Sequence, residues 1–155
     1  MKQRILLITG WGGGTNLLHS LQLALQQQGH EVELINIFNA FDQDVLQHKA
    51  EWARQFDVII GWSLGGQLAS LLVDEIEQHY VEQKILITLA SNPCFVANDT
   101  WQTAMPPQTF QVFKQSFEQD VVATLKKFGY MVCQGVESSK KDFITLQSLI
   151  QPQQT

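Results

Sequence analysis

Ser63 stands in the run Gly61-Trp62-Ser63-Leu64-Gly65-Gly66. A serine hydroxyl acts as a nucleophile when it is lifted clear of its own backbone and faces a site that stabilises negative charge. The G-x-S-x-G spacing serves the first need, because flanking glycines let a sharply turned backbone pass close to its neighbours. The second is served when a helix begins directly after the serine, since its first N–H groups are unpaired and point at a developing oxyanion. The chemistry implied is acyl transfer, with Ser63 as nucleophile and the Leu64 N–H as one oxyanion donor. A plain glycine-rich turn is the competing reading.

The flanking elements favour the catalytic one. Residues 57–60 carry the apolar, β-branched run Val58-Ile59-Ile60 and read as a short buried strand. From Leu64 the period changes: Leu64, Leu68, Leu71, Leu72 and Ile76 share one helical face and Gln67, Asp74 and Glu77 the other. A helix is expected over 64–80, which puts Ser63 on the strand-to-helix turn.

A second glycine-rich stretch, Gly10-Trp11-Gly12-Gly13-Gly14, follows an apolar strand at 4–9. Glycines in that place can approach a pyrophosphate, but the G-x-x-G end, an acidic residue closing the next strand and a Gly-Lys-Ser/Thr are all missing. In a serine hydrolase the loop after this strand supplies the second oxyanion N–H. That assigns the Trp11 N–H to the oxyanion hole and its ring to the wall of an acyl pocket; a merely packed aromatic is the alternative.

Further elements follow from punctuation: a helix at 16–28 with Leu17, Leu18, Leu21 and Leu25 inward, strands at 31–37 and 84–90, and a helix at 45–55. Alternating strands and helices predict an α/β fold: a mainly parallel sheet with helices on both faces. After Ala90 the alternation stops. Pro106-Pro107 opens a helix whose Phe110, Phe113, Phe117, Val121, Leu125 and Phe128 keep helical spacing, and a second helical stretch covers 138–150. We therefore expect a sheet core at 1–92 and a helical cap at 93–155, the last part of it a polar tail at 151–155.

Bulk properties narrow the classes. The chain has 155 residues, 45% hydrophobic and 16% charged, with a net charge of −5 and a pI near 5.2. That charge disfavours general nucleic-acid binding. No apolar run approaches the ~20 residues of a membrane span and no signal segment is visible, so a cytoplasmic protein is expected. Cys94 and Cys133 share no metal-like spacing and are expected as reduced thiols; no metal or cofactor is implied.

Three segments in order carry a more specific resemblance: Thr9-Gly10-Trp11-Gly12, then Gly61-Trp62-Ser63-Leu64-Gly65-Gly66, then Ala90-Ser91-Asn92-Pro93-Cys94-Phe95 with Trp101 after it. Together they resemble the pimeloyl-[acyl-carrier protein] methyl ester carboxylesterases of biotin synthesis, whose first motif usually begins with histidine where Thr9 stands. The resemblance implies an α/β-hydrolase fold with a helical cap, and hydrolysis of the methyl ester of pimeloyl-acyl carrier protein. It also implies that the acyl chain lies against Phe128, Gly129, Tyr130, Met131 and Val132; a helix end packed on the sheet is the alternative. The family meets its acidic carrier protein with cap arginines. Of four such positions Lys127 and Lys140 are basic here, with Lys126 and Lys141 adjacent, while Ala123 and Ile144 fill the other two. These lysines suit either carrier-protein steering or an ordinary solvated face.

A serine nucleophile needs a base, and α/β-hydrolases supply acid and then histidine after the serine. No histidine follows His79, and His19, His30, His48 and His79 each read as solvated or packing residues. By resemblance, then, the chain is expected to stop inside the cap and to be the N-terminal part of a carboxylesterase, with an exposed sheet edge prone to self-association. Two classes stay open: an esterase, or its nucleophile half, and a catalytically inactive remnant that binds acyl chains or carrier protein.

Overall fold

Four parallel strands, in the spatial order β2-β1-β3-β4, form the centre of the protein in a computed structural model that describes residues 1–150. They are β1 (Arg4–Ile8), β2 (Glu31–Ile35), β3 (Val58–Trp62) and β4 (Ile85–Leu89). The register sets Ile8 beside both Ile35 and Gly61, and Gly61 beside Thr88. Every strand therefore ends at the same edge of the sheet, and the segments after β1, β3 and β4 share that edge. The polar tail expected at 151–155 lies outside the described residues.

Period-two alternation in β1 feeds two apolar layers. Leu6 and Ile8 join Ile59 against Leu46, Ala50 and Ala53 of α2 (Gln43–Ala53) and Leu68, Leu72 and Ile76 of α3 (Leu64–Tyr80). Ile5 and Leu7 join Val58 and Ile60 against Leu18 of a 3₁₀ turn (Thr15–Leu18) and Leu21 and Leu25 of α1 (His19–Gln27). Burial on both faces explains why β1 and β3 read as continuous apolar runs. Each fully buried Leu or Ile contributes about 1.5–3 kcal/mol, which anchors the strands whose ends carry the glycine loops.

Several sequence expectations need correcting. The helix expected at 45–55 begins at Gln43, because Asp42 caps it and accepts hydrogen bonds from the Asp44 and Val45 N–H groups. The helix expected at 16–28 opens as the 3₁₀ turn instead. The helix expected to run on from Pro106 through Phe128 is two helices, α4 (Pro107–Gln119) and α5 (Val121–Val132). Asp120 breaks it at φ −151°, its carboxylate accepting from the Ala123 N–H at 2.9 Å. Phe117, Val121 and Leu125 keep i, i+4 spacing across that break, so periodicity alone hides it. Helix α6 (Ser139–Leu149) completes the set.

Leu71, expected on the buried face of α3, is 42% exposed. It lies beside β4, where the sheet is open. Ile85, Leu86 and Ile87 are 56, 39 and 39% exposed, so both faces of this strand meet solvent. Ile85 donates its N–H to Asp57 O at 3.0 Å and Leu89 O accepts from the Ser63 N–H at 2.9 Å. Alternate residues of a parallel strand serve one neighbour, so the backbone groups of Leu86 and Thr88 point outward. An open groove of ≈ 620 Å³ runs along this side, lined in part by Gln67, Leu71, Asp74 and Thr88.

No charged side chain lies within Ile85–Leu89 to guard the edge. Self-association through β4 is the expected outcome: weight-average mass in sedimentation should rise with concentration, and Ile87→Lys should return it toward that of one chain. A parent protein that stays monomeric across the accessible range would contradict this.

Candidate active site

Ser63 follows the last residue of β3 and caps α3 with φ 56° and ψ −123°. A side-chain-bearing residue with positive φ costs on the order of 1–3 kcal/mol and persists only when its surroundings fix it. Here the Ser63 N–H donates to Leu89 O, and Ser63 O accepts from the Gly66 N–H, each at 2.9 Å. The glycines explain the rest. A Cβ on Gly61 would run into the backbone at Gly65, and one on Gly65 would run into the carbonyl oxygens of Ile8 and Thr9. One on Gly66 would lie 2.5 Å from Ser91 Cβ and Oγ. The elbow is thus wedged between the ends of β1 and β4. Ser63 is half-buried, and among the described residues its hydroxyl has no hydrogen-bond partner. Leu64 opens a helix of 17 residues, so its N–H lies in the positive end of the helix dipole.

The glycine loop after β1 lies directly against this elbow. A Cβ on Gly10 would sit 2.6 Å from the Trp62 ring and 2.9 Å from Ser63 Cβ. Gly12 and Gly14 take φ 86° and 63°, and Thr9, fully buried, donates its hydroxyl to Gly14 O at 2.9 Å. The two expected oxyanion donors, Trp11 and Leu64, therefore come from adjoining segments at one edge of the sheet. The Trp11 ring meets Phe113, Phe117 and Phe128 edge-on, with centroids 5.3, 5.2 and 5.3 Å away.

Of the residues expected along an acyl chain, Phe128 reaches Trp11, and the others go elsewhere. Gly129 is buried close to Gln147 and Leu146 of α6, Tyr130 leans edge-on against Phe143, and Met131 and Val132 are exposed. Lys126 and Lys127 on α5 and Lys140 and Lys141 on α6 are all exposed, and among the described residues none is held in a salt bridge. Asp142 sits beside them and bonds the Ser138 hydroxyl. Burial, with a smaller contribution from Asp142, raises the Cys133 thiol above its ordinary pKa, and both Cys94 and Cys133 are free.

The histidines stay apart from Ser63. His79 is 16 residues further along α3, about 24 Å at the helical rise, where it meets Glu75. His30 accepts from the Gln3 N–H at the opposite edge of the sheet, His48 bonds the carbonyl of Asp44, and exposed His19 pairs with Gln22. Sequence reasoning passed over the Thr9 hydroxyl, Ser91 beneath Gly66, and the use of Phe113 and Phe117 around Trp11. Their i, i+4 spacing marked those two phenylalanines as one helical face, but nothing local said which loop that face would meet.

No family model matches the chain. A search among known proteins finds the biotin biosynthesis bifunctional protein BioHC of Saccharophagus degradans, 33% identical over 86% of this chain and 25% of that protein. It also finds the pimeloyl-[acyl-carrier protein] methyl ester esterase of Pectobacterium carotovorum, 30% identical over 94% of this chain and 59% of that one. The chain is similar in sequence to the pimeloyl-[acyl-carrier protein] methyl ester esterases. It spans less than two thirds of the length of these relatives. Among solved structures, an esterase from Exiguobacterium antarcticum superposes with a TM-score of 0.67 over 97% of this chain and 62% of that one, at 15% identity. The fold is α/β-hydrolase-like, as the alternating pattern and the three motifs implied. No helix among the described residues is long and apolar enough to cross a membrane.

The contact at Gly65 gives a sharp test of this geometry. Gly65→Ala sets a methyl against backbone carbonyls that cannot move aside, so a loss of about 3 kcal/mol and about 6–12 °C in Tm is expected. Gly29→Ala meets open space at φ 90° and adds only backbone strain, about 1 kcal/mol. Thermal melts of the two variants should separate accordingly.

Proposed function

We propose that this chain carries the nucleophile and oxyanion hole of a serine carboxylesterase whose substrate is the methyl ester of pimeloyl-[acyl-carrier protein]. The observation that carries the reading is the positive-φ Ser63 at the strand-to-helix turn, with the glycine loop pressed against it. On this reading Ser63 Oγ attacks the ester carbonyl, and the Trp11 and Leu64 N–H groups hold the tetrahedral oxyanion. Methanol leaves with the serine proton, and water then releases the free acid and restores the hydroxyl. The proton needs a carrier, which is not found beside Ser63 among the described residues.

The acyl chain would pass under the helices after β4, with Trp11 and Phe128 as its nearest walls and Gly129, Tyr130, Met131 and Val132 further along. We propose residues 1–92 as the hydrolase core and the helices that follow as its cap. The relatives' names support an acyl-carrier-protein substrate. Lys126, Lys127, Lys140 and Lys141 offer an acidic carrier four exposed point charges, suited to steering rather than to bidentate grip. A cytoplasmic setting suits a biosynthetic esterase of this kind.

A second reading, binding without turnover, is favoured by the unpartnered Ser63 hydroxyl. Kinetics separate the two. A serine without its base keeps its proton at neutral pH, so the chain alone should hydrolyse a methyl ester on the order of 10⁴-fold slower than a complete enzyme, roughly 5 kcal/mol of transition-state stabilisation. Ser63→Ala should remove whatever hydrolysis and fluorophosphonate labelling the parent shows. Equal turnover by the parent and Ser63→Ala would sink the nucleophile assignment. Reversing the four lysines to glutamate should weaken capture of an acidic carrier protein about tenfold or more at low salt, with the difference fading as salt rises.

A further inference from the structure

We propose that Phe113 and Phe117 of α4 are positioning residues that hold the oxyanion loop in shape through the Trp11 ring. The inference rests on the reading of the Trp11 N–H as an oxyanion donor, and it adds what keeps that N–H in place.

The loop Gly10–Gly14 has a single side chain beyond hydrogen, that of Trp11. Glycine loses more conformational freedom on ordering than any other residue, so such a loop is held by its contacts and not by its own backbone preferences. Two contacts come from the core: Gly10 against Trp62 and Ser63, and the buried Thr9 hydroxyl on Gly14 O. Both grip the ends of the loop. Its middle is gripped by the helices that follow β4. The Trp11 ring is enclosed edge-on by Phe113 and Phe117 of α4 and Phe128 of α5, at interplanar angles of 67, 61 and 82°. Gly12 lies so close to Leu125 of α5, itself almost fully buried, that a Cβ there would sit 2.7 Å from Leu125 Cδ2. Edge-to-face pairs fix ring orientation as well as distance. Three around one indole fix where the ring and its Cβ sit, which restricts the backbone positions open to Trp11 and so its N–H.

The elbow has no such dependence. Ser63 is fixed by Leu89, by Gly66 and by the approach of Gly65 to β1, and none of those groups belongs to α4 or α5. The two halves of the oxyanion hole are therefore separable: Leu64 is set by the sheet and Trp11 by the helices that follow it. Phe110 supplies a control on the same helix. It stacks on Phe113 at 6.5 Å but makes no ring contact with Trp11.

Backbone ¹⁵N relaxation of the full chain tests this without requiring turnover. In Phe113→Leu/Phe117→Leu the order parameters of the Trp11, Gly12 and Gly13 N–H groups should fall from about 0.85 to below about 0.6, while those of Ile60, Ser63 and Leu64 stay unchanged. Phe117→Tyr, which keeps the ring, and Phe110→Leu should both behave as the parent. If the double variant does not fold, each single leucine variant should give a smaller fall confined to the same loop. An unchanged loop, or a fall spread equally over β3 and the loop, would overturn the proposal. The readout involves no ester chemistry, so its failure is distinct from a failure of the esterase reading, which labelling of Ser63 decides.

Discussion

At Gly65 the first turn of α3 presses against the carbonyl oxygens of Ile8 and Thr9, and the surroundings of Ser63 are arranged about that contact. A helix can come this close to a strand end only where no Cβ intervenes, and the same closeness forces the chain to reverse within one residue. Ser63 absorbs the reversal at φ 56°. The cost of such a conformation, on the order of 1–3 kcal/mol, is offset by the buried layers that fix β1, β3 and α3 relative to one another. The buried side chains of Leu6, Ile59, Leu68 and Leu72 thus act on the site from the core beneath it. Loosening them would let the elbow relax, and an elbow that relaxes drops its hydroxyl back toward the sheet.

The loop that faces the elbow is governed by different forces. Thr9 is fully buried and its hydroxyl needs an acceptor, since a buried polar group without one costs about 1–3 kcal/mol. Gly14 O supplies it and closes the loop into a small ring. Leu17 reaches back over Gly13 and caps the space beneath. This is soft material, rich in glycine, set beside a stiff elbow, and its order is borrowed from aromatic side chains more than a hundred residues away in the sequence.

That contrast explains what the sequence discloses and what it hides. The elbow was legible because its causes are local: the apolar run Val58-Ile59-Ile60, the glycines around Ser63 and the 3.6-residue period after Leu64 all lie within 20 residues. The parallel character of the sheet was legible from alternation, and the buried faces of β1 and β3 from their apolar runs; the strand order was not. Asp120 was hidden because Phe117, Val121 and Leu125 keep helical spacing across a capped break, so the pattern of one helix is printed over two. Leu71 was misread for the converse reason. Periodicity gives the apolar face of a helix but not whether a neighbour covers it, and next to β4 none of the described elements does. The surroundings of Trp11 depend on how α4 and α5 fold back, a tertiary fact that no spacing in either segment records.

Ser63 and the open edge of the sheet belong to one problem. The Ser63 N–H is bonded to Leu89, the last residue of β4, so the elbow is one hydrogen bond from the strand whose far side pairs with no described strand. A polypeptide that paired with Leu86 and Thr88 would cover Ile85 and Ile87 on one face and Leu86 on the other. The end of such a strand at the sheet edge shared by Ser63 would lie about two strand spacings, roughly 10 Å, from β3. A loop leaving that end is within reach of the serine hydroxyl; a loop leaving the opposite edge is not. Burial of the apolar strand would supply the free energy, and direction would decide the chemistry. Parallel addition places the new strand's C-terminal loop beside Ser63, whereas antiparallel addition, as between two copies of β4, places that loop at the far edge. Stability asks only that the edge be covered. Catalysis by a loop following the added strand asks that it be covered in the parallel sense.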